Sequence, residues 1–278
     1  MNRIYAAVIL LSVIIAGGCK KTPSTPTQGT LPSGYYFVKA MAVISYDSLG
    51  DRIDSVVTSY IYDSKGRSTN IQVAEYDISV NPNGNLLYTY NTVYTYNTNT
   101  VQVSEPGTST ETYYIDATTG LADSSVTVTS GTATTVVYYY NYNSNGYRIS
   151  DYSYTNNSGQ YSKSFVDSFT ISNGNIVQQV TRNYNDVYGG TNDTITSTFP
   201  VPPLATPNEP VISEYLTSFG VTGKQSSGLL NSVYSNYNGI VVSLNYGYTF
   251  DSDNRVVTLV EASQNAGLLY ATVHYYFE

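Results

Sequence analysis

Few residues in this chain are of the types that carry enzyme chemistry. The sequence of 278 residues has one Cys, one His and no Trp. A single Cys excludes an internal disulfide and a cysteine-based zinc site, and a single His excludes a metal centre built from histidines. Cys19 lies close to the N-terminus, and His274 lies beside two tyrosines near the end of the chain. We therefore expect no cofactor, no metal centre and no catalytic residue.

One segment invites comparison with a phosphate-binding loop. Residues 220–226 read GVTGKQS, with Gly and Lys in adjacent positions. The phosphate-binding pattern needs a further Gly where Ser218 stands, and a Ser or Thr where Gln225 follows Lys224. Since two defining positions differ, we interpret this segment as a turn.

The other two candidates for site chemistry are also better explained by local structure. Asp251 and Asp253 have the spacing of a calcium loop, but no further acid stands at the remaining ligand positions. We interpret the pair as part of a hairpin turn, with a weak cation site as the alternative. His274 has no nucleophile or carboxylate partner that the sequence can identify, so we predict a strand residue.

The first 34 residues have the composition of an export signal followed by a tether. A short positive start, Met1 to Arg3, precedes the apolar run IYAAVILLSVIIA, which is shorter than the roughly 20 residues that span a bilayer. Small residues then lead to Cys19, and together these features resemble a bacterial lipoprotein signal. We predict a signal peptide over 1–18, a lipid anchor with palmitate on Cys19, and a flexible Pro/Ser/Thr-rich tether over 19–34. A plain signal peptide is the alternative.

The residues directly after Cys19 also predict where in the cell the protein is located. Some lipoproteins of the Bacteroidota carry an acidic signal directly after the Cys that sends them to the cell surface, whereas Lys20 and Lys21 stand here. We therefore expect the protein at the outer membrane, on the periplasmic face rather than the cell surface. The formal net charge of −8 argues against a nucleic-acid partner, which needs a basic surface.

From residue 35 onward the sequence predicts β-strands joined by tight turns. One phrase recurs: two aromatic residues two positions apart, then Asp or Asn, then a Gly or Asn three or four residues later. Because alternate residues of a strand share a face, each aromatic pair lies on one side. The Asx residues begin the turns, and glycines such as Gly50, Gly120 and Gly146 supply the positive φ. The clearest copies are SYIYDSKGR (59–67), VYTYNTNTV (93–101), YYNYNSNGY (139–147) and YGYTFDSDNR (246–255).

The spacing of these hairpins predicts the architecture. Their irregular separation excludes a solenoid of fixed period and indicates an all-β fold with one antiparallel meander sheet. We expect a single domain over 35–278, highly curved into an open or half barrel. Five prolines in 199–210 rule out a central strand there, and the apolar spacing that follows predicts a Pro-rich and helical cap over about 199–234.

The hairpin phrases and the segments NGN (173–175), GVTGKQS (220–226) and YTFDSDNRV look like those of a family of Bacteroidota outer-membrane lipoproteins. That family has no known function and is described as having a porin-like, highly curved β fold. The resemblance covers most of 35–278. It implies the same curved sheet for this chain and a place in the cell envelope, and it names no substrate.

The 31 tyrosines are the remaining clue to function. Tyrosine ladders can hold a sheet that has a thin aliphatic core, since cross-strand pairs contribute roughly 0.2–1 kcal/mol each. Some of the same rings could stack on a ligand. We predict a non-enzymatic binding or scaffold module with a glycan or peptide as ligand; the alternatives are a glycan hydrolase, which needs two carboxylates within reach, and a purely structural protein.

Three short triplets are similar to the O-glycosylation triplet of exported Bacteroidota proteins. Each has Asp, then Ser or Thr, then an aliphatic residue. They would place the modification on Ser48, Ser55 and Thr194.

Overall fold

The protein is described by a computed structural model. The structure describes residues 36–47, 49–64, 67–81, 83–184, 192–198, 210–211, 229, 231–237, 240–252, 255–263 and 269–277. These residues form β-strands and turns and contain no helix. No helix of this described part is therefore long and apolar enough to cross a membrane.

The strands alternate with short connections along the chain. They are β1 (Tyr36–Tyr46), β2 (Arg52–Tyr62), β3 (Ser68–Asp77), β4 (Asn85–Tyr96), β5 (Thr100–Glu105), β6 (Ser109–Ile115), β7 (Ala122–Thr129), β8 (Thr134–Tyr142), β9 (Arg148–Asn157), β10 (Gln160–Ser172), β11 (Asn175–Asn183), β12 (Asn192–Thr198), β13 (Pro210–Val211), β14 (Ser232–Tyr237), β15 (Ile240–Phe250), β16 (Val256–Ser263) and β17 (Leu269–Phe277).

The strands belong to one sheet with meander topology. Each strand from β1 to β11 pairs antiparallel with the next one along the chain, β12 pairs with β14, and the series continues to β17. The two-residue β13 lies parallel to the start of β1. The prediction of an all-β protein with a single antiparallel meander is confirmed.

The sheet curves until its last strand lies beside its first. β1 pairs with β2 on one side and with β17 on the other, where Val43 is opposite Val273. The high curvature that the sequence predicted is confirmed. The direct pairing of β1 with β17 is a long-range feature that the turn pattern did not indicate.

The recurring phrase occupies alternate hairpins, at one end of the sheet that we call the Asx end. Successive strands run in opposite directions, so the turns after β2, β4, β6, β8 and β15 share this end. At the first of them, the Asp63 carboxylate accepts hydrogen bonds from the Arg67 backbone N–H (2.9 Å) and Nε (2.8 Å). Asn143 Oδ1 likewise accepts from the backbone N–H of Tyr147 at 3.1 Å, and Gly146 has a φ of 82°. The predicted Asx-turn chemistry is confirmed.

A second use of tyrosine recurs just before these turns. The last tyrosine of a strand donates its hydroxyl hydrogen to a backbone carbonyl near the beginning of the preceding strand. This bond ties two neighbouring strands together at the Asx end, in addition to their ladder. The clamp tyrosines, as we call them, and their acceptors are Tyr62 with Val38 O (2.7 Å), Tyr96 with Ser68 O (2.9 Å) and Tyr142 with Ala122 O (2.8 Å).

Buried side chains lie on one face of the sheet, which we call the inner face. A single sheet can cover side chains only on its concave side, so this face must be the inside of the curve. Its aliphatic cluster includes Met41, Val43, Ile71 and Val273, all less than a tenth exposed. Tyr60 and Tyr94 of the recurring phrase are buried in the same cluster.

The segment predicted as a Pro-rich and helical cap lies mostly outside the described residues. Within it, Pro210–Val211 form β13, and β14 begins at Ser232, so the sheet resumes before Ile240, where the sequence pattern had placed the restart. Leu229 is 2% exposed and packs in the aliphatic cluster. The end of this segment therefore contributes to the inner face.

Candidate functional site

The inner face changes character between β6 and β11. Val101 of the aliphatic cluster is opposite Tyr113, and the register continues through Ser125, Tyr138 and Ser153 on β7, β8 and β9. Alternation along these strands gives the inner face carboxyl and hydroxyl groups where the other half has aliphatic side chains. We call this region the polar strip; its defining residues are Glu111, Ser125, Tyr140, Asp151, Asp167 and Thr181.

A hydrogen-bond relay joins three strands in the first part of the strip. Ser125 is fully buried, and its hydroxyl donates to Glu111 Oε1 at 2.6 Å. The same hydroxyl lies 2.8 Å from the Tyr140 hydroxyl. Burial raises the pKa of Glu111, although the bond from Ser125 opposes the shift. Glu111 is therefore held in an environment that favours the protonated carboxyl.

The second part of the strip is a pair of carboxyl groups on neighbouring strands. Asp151 is opposite Asp167 in the ladder. Arg148 Nη1 lies 3.2 Å from Asp151 Oδ2, and the Thr181 hydroxyl donates to Asp167 Oδ1. Burial, more than the adjacent Asp167, raises the pKa of Asp151 despite the attraction of Arg148. Close carboxyls that resist ionising together share a proton.

Two polar atoms of the strip are buried without a hydrogen-bond partner. These are the Ser153 hydroxyl and Asp151 Oδ1, which belong to side chains 0% and 3% exposed. A proton shared with Asp167 would satisfy Asp151 Oδ1. No described residue provides a partner for the Ser153 hydroxyl, and an unmet buried hydroxyl costs on the order of 1–3 kcal/mol.

Aromatic rings flank these polar groups. Tyr113 stacks on Tyr140 with centroids 6.3 Å apart and planes at 12°. Tyr138 packs against Phe165 at 5.6 Å in a tilted arrangement. These four rings are half-buried. Part of the strip is thus exposed on the inner face of the sheet.

A separate acid lies on the aliphatic side of the inner face. Glu261 of β16 is opposite Tyr246 of β15 and is about one tenth exposed. Burial raises its pKa to about 7. The inner face thus holds carboxyl groups with raised pKa both in the polar strip and in its aliphatic part.

The residues singled out in the sequence do not form this site. His274 is half-buried in β17, opposite Ala42 and Thr258, which is on the outer face. Asp251 Oδ2 accepts from Arg255 Nε at 2.6 Å, as expected for a hairpin turn. The described residues contain no group of three or more His, Cys, Asp or Glu that could hold a metal ion.

The predicted modification sites are spread along the chain. Cys19, the tether, the motif at 220–226 and Ser48 lie outside the described residues, as does Asp253. Ser55 is half-buried in β2, opposite Ile44 and Tyr76. Thr194 belongs to β12. Lipidation and glycosylation at these positions stay predictions.

Sequence reasoning missed the acids of the polar strip. A usable signal was present, because each acid shares its strand face with an aromatic or hydroxyl residue two positions on. Glu111 precedes Tyr113, Asp151 precedes Ser153, and Asp167 precedes Phe169. What the sequence could not supply is the register that brings the three strands' side chains to one region.

The fold is similar to those of solved structures from Bacteroides species. A porin-like protein from Bacteroides uniformis superposes with a TM-score of 0.63 at 15% identity, covering 88% of this chain and 100% of the other. A porin-like protein from Bacteroides vulgatus gives a TM-score of 0.54 at 12% identity, with coverage of 87% and 99%. No protein-family model and no curated protein matches the chain. The likeness therefore shows a porin-like β fold and leaves the activity to the chain's own residues.

Proposed function

We propose that the protein is a lipid-anchored, non-enzymatic binding module of the cell envelope whose site is the polar strip. The observation that carries the proposal is the contrast in burial within the strip. Its rings are half-buried while the Ser153 hydroxyl beside them is fully buried and unpartnered. A buried polar group without a partner beside partly exposed rings is available for contact with a ligand.

The carboxyl pair supports binding rather than hydrolysis. Glycoside hydrolases hold their two carboxyls roughly 5–9.5 Å apart, with the scissile bond between them. Asp151 and Asp167 lie on adjacent strands, and Asp151 is 3% exposed. The two carboxyls are in hydrogen-bond contact with each other, closer together than the separation that either kind of glycoside hydrolase uses. We therefore propose no catalytic role for them.

Anchoring of the module rests on Cys19. The sheet begins at Tyr36, so the 16 residues from Lys20 to Tyr35 would separate the lipid from the fold. Porin-like solved relatives from Bacteroides support an envelope protein. The Cys19→Ala variant should leave the membrane fraction and appear in the soluble periplasmic fraction. Unchanged fractionation of this variant with membranes would overturn the anchor.

Binding at the strip is tested by a pair of adjacent tyrosines on opposite faces. Tyr140 is on the inner face, hydrogen-bonded to Ser125, and Tyr139 is exposed on the outer face, stacked on Tyr152. Thermal unfolding with a panel of oligosaccharides and short peptides should find a ligand that raises the Tm. The Tyr140→Phe variant should lose that rise, and the Tyr139→Phe variant should keep it. Equal loss in both variants would contradict the proposed site.

A further inference from the structure

The polar strip has an excess of acidic groups over basic ones. Glu111, Asp151 and Asp167 are its carboxyls, and Arg148 is the described cation beside them. The Arg148 guanidinium is already engaged, since it contacts Asp151 Oδ2 at 3.2 Å and lies 4.7 Å from the centre of the Phe169 ring. The strip therefore has more carboxyl groups than cations, and a positively charged ligand would favour their ionised form.

The placement of the acids favours an organic cation over a metal ion. A metal ion is bound by several carboxylates converging on one point, and the described residues contain no such group of three. Here Glu111 and Asp151 are three strands apart, roughly 14 Å across the sheet. Strand β8, which carries Tyr138 and Tyr140, lies between them. An ammonium ion is bound well by a carboxylate together with the face of an aromatic ring.

The unmet hydroxyl gives the same ligand a further contact. The Ser153 hydroxyl is on the inner face two residues from Asp151, opposite Tyr138 and Phe165. An ammonium group has three N–H donors and no acceptor. It could donate to the Asp151 carboxylate and to the Ser153 oxygen while its carbon chain contacts the rings. A neutral sugar would meet the hydroxyl equally well but would bring no positive charge to the carboxyl groups.

We propose that the polar strip binds the ammonium group of a small organic amine, held by Asp151, Asp167 and Ser153 against the Tyr138 and Phe165 rings. This inference rests on the proposed binding function and names its ligand class. Burial raises the pKa of Asp151 in the unliganded protein. A bound cation stabilises the ionised carboxylate, so binding strengthens as the pH rises and releases protons.

The test is calorimetric titration of the folded protein with putrescine at pH 8. The matched control ligand is 1,4-butanediol, which has the same carbon chain and no charge. Putrescine should bind and the diol should not. Asp151→Asn should weaken putrescine binding at least about tenfold, because it removes a charge-assisted hydrogen bond to the ammonium group. Ser153→Ala should weaken putrescine binding by a smaller factor.

Asp116→Asn provides the matched control variant. It makes the same change of net charge at an exposed turn of the Asx end, where Asn also accepts the capping bonds. Putrescine affinity should be unchanged in it. Equal binding of the diol, equal loss in Asp116→Asn, or no heat at about 10 mM putrescine, where millimolar affinity is detected, would overturn the inference. Thermal unfolding of each variant verifies that it is folded.

Two further outcomes separate this inference from the function beneath it. If putrescine fails but a sugar or peptide raises the Tm in a Tyr140-dependent way, the ligand class is wrong and the binding module stands. A lysine-containing tripeptide that binds where putrescine does not assigns the ammonium group to a peptide source and overturns the small amine. If no probe binds and strip variants change stability alone, both proposals fall.

Discussion

The two halves of the inner face are built from the same strands and turns but stabilise the sheet differently. Around β1 to β5, β16 and β17, aliphatic side chains and three buried tyrosines form one cluster. Between β6 and β11 the equivalent positions hold carboxyls, hydroxyls and half-buried rings. The first half gains free energy from burying apolar surface, while the second loses part of that gain to desolvation of polar groups. A region that is costly to fold is a better candidate for function than one that is not.

The largest expected effect is on the aliphatic half. Met41 is 2% exposed and packs in the cluster, so Met41→Ala should lower the free energy of unfolding by about 2–4 kcal/mol through lost burial and a residual cavity. Urea denaturation provides the measurement. Thr112→Ala, on the outer face of the strip half, should cost far less. A loss of similar size in both would remove the distinction between the halves.

The next effect is a pH dependence of stability to which buried carboxyl groups in both halves contribute. Burial raises the pKa of Asp151 and Glu111 in the strip. It also raises the pKa of Glu261, in the aliphatic half, to about 7. These groups bind protons more tightly in the folded protein than in the unfolded chain, so their contribution to stability is fully present below about pH 4 and is lost as the pH rises through about 7. We expect the free energy of unfolding to be about 1–3 kcal/mol lower at pH 8 than at pH 5.

Variants assign that pH dependence to its groups. Asp151→Asn should reduce the part of the pH dependence of the unfolding free energy that comes from the strip. Glu261→Gln should reduce the part that comes from the aliphatic half. Asp116→Asn is the control, because hydrogen bonds to the backbone N–H of Thr119 and Thr118 lower the pKa of Asp116, the opposite direction. If stability rises between pH 5 and pH 8, the inner carboxyls are ionised in the folded protein and the account of the strip fails.

A smaller effect is expected at a contact that both halves share. The clamp bond from Tyr142 to Ala122 O belongs to the strip half, and the bond from Tyr62 to Val38 O belongs to the aliphatic half. Tyr142→Phe and Tyr62→Phe should each cost about 1 kcal/mol, the net contribution of one hydrogen bond. Chemical denaturation would show whether the two costs agree, as they must if the clamps act independently of what the neighbouring inner face contains.

The smallest effect concerns the turns. Asp251 makes an ion pair with Arg255 in which both side chains are about 20% exposed, whereas Asn143 caps its turn without an ion pair. Asp251→Asn converts the first kind of turn into the second and keeps an oxygen for the Arg255 backbone N–H. The cost should be below about 1 kcal/mol and should shrink at high salt. A larger, salt-independent cost would indicate that the ion pair holds the sheet's end.

Local features were predictable from the sequence, and features set by distant pairing were not. The Asx residues, the glycines of positive φ and the paired aromatic residues are chemical requirements of single hairpins, so their phrases reveal them. The relay from Glu111 to Ser125 and Tyr140 needs three strands in register, and Asp151 needs Asp167 from the next strand. Each strand taken alone shows only an acid among polar residues. The division of the inner face into two halves is likewise a property of the assembled sheet.

The pairing of β1 with β17 sets the order in which the protein can finish folding. Val38 is opposite Phe277, so two segments at opposite ends of the sheet's sequence must meet before either has both neighbours. Closing a loop of that length has a large entropic cost, and contacts so far apart slow folding. While the chain folds, the growing sheet exposes a strand edge until the last segment arrives. Until then that edge is open to pairing with another chain, so folding would benefit from a chaperone that covers it.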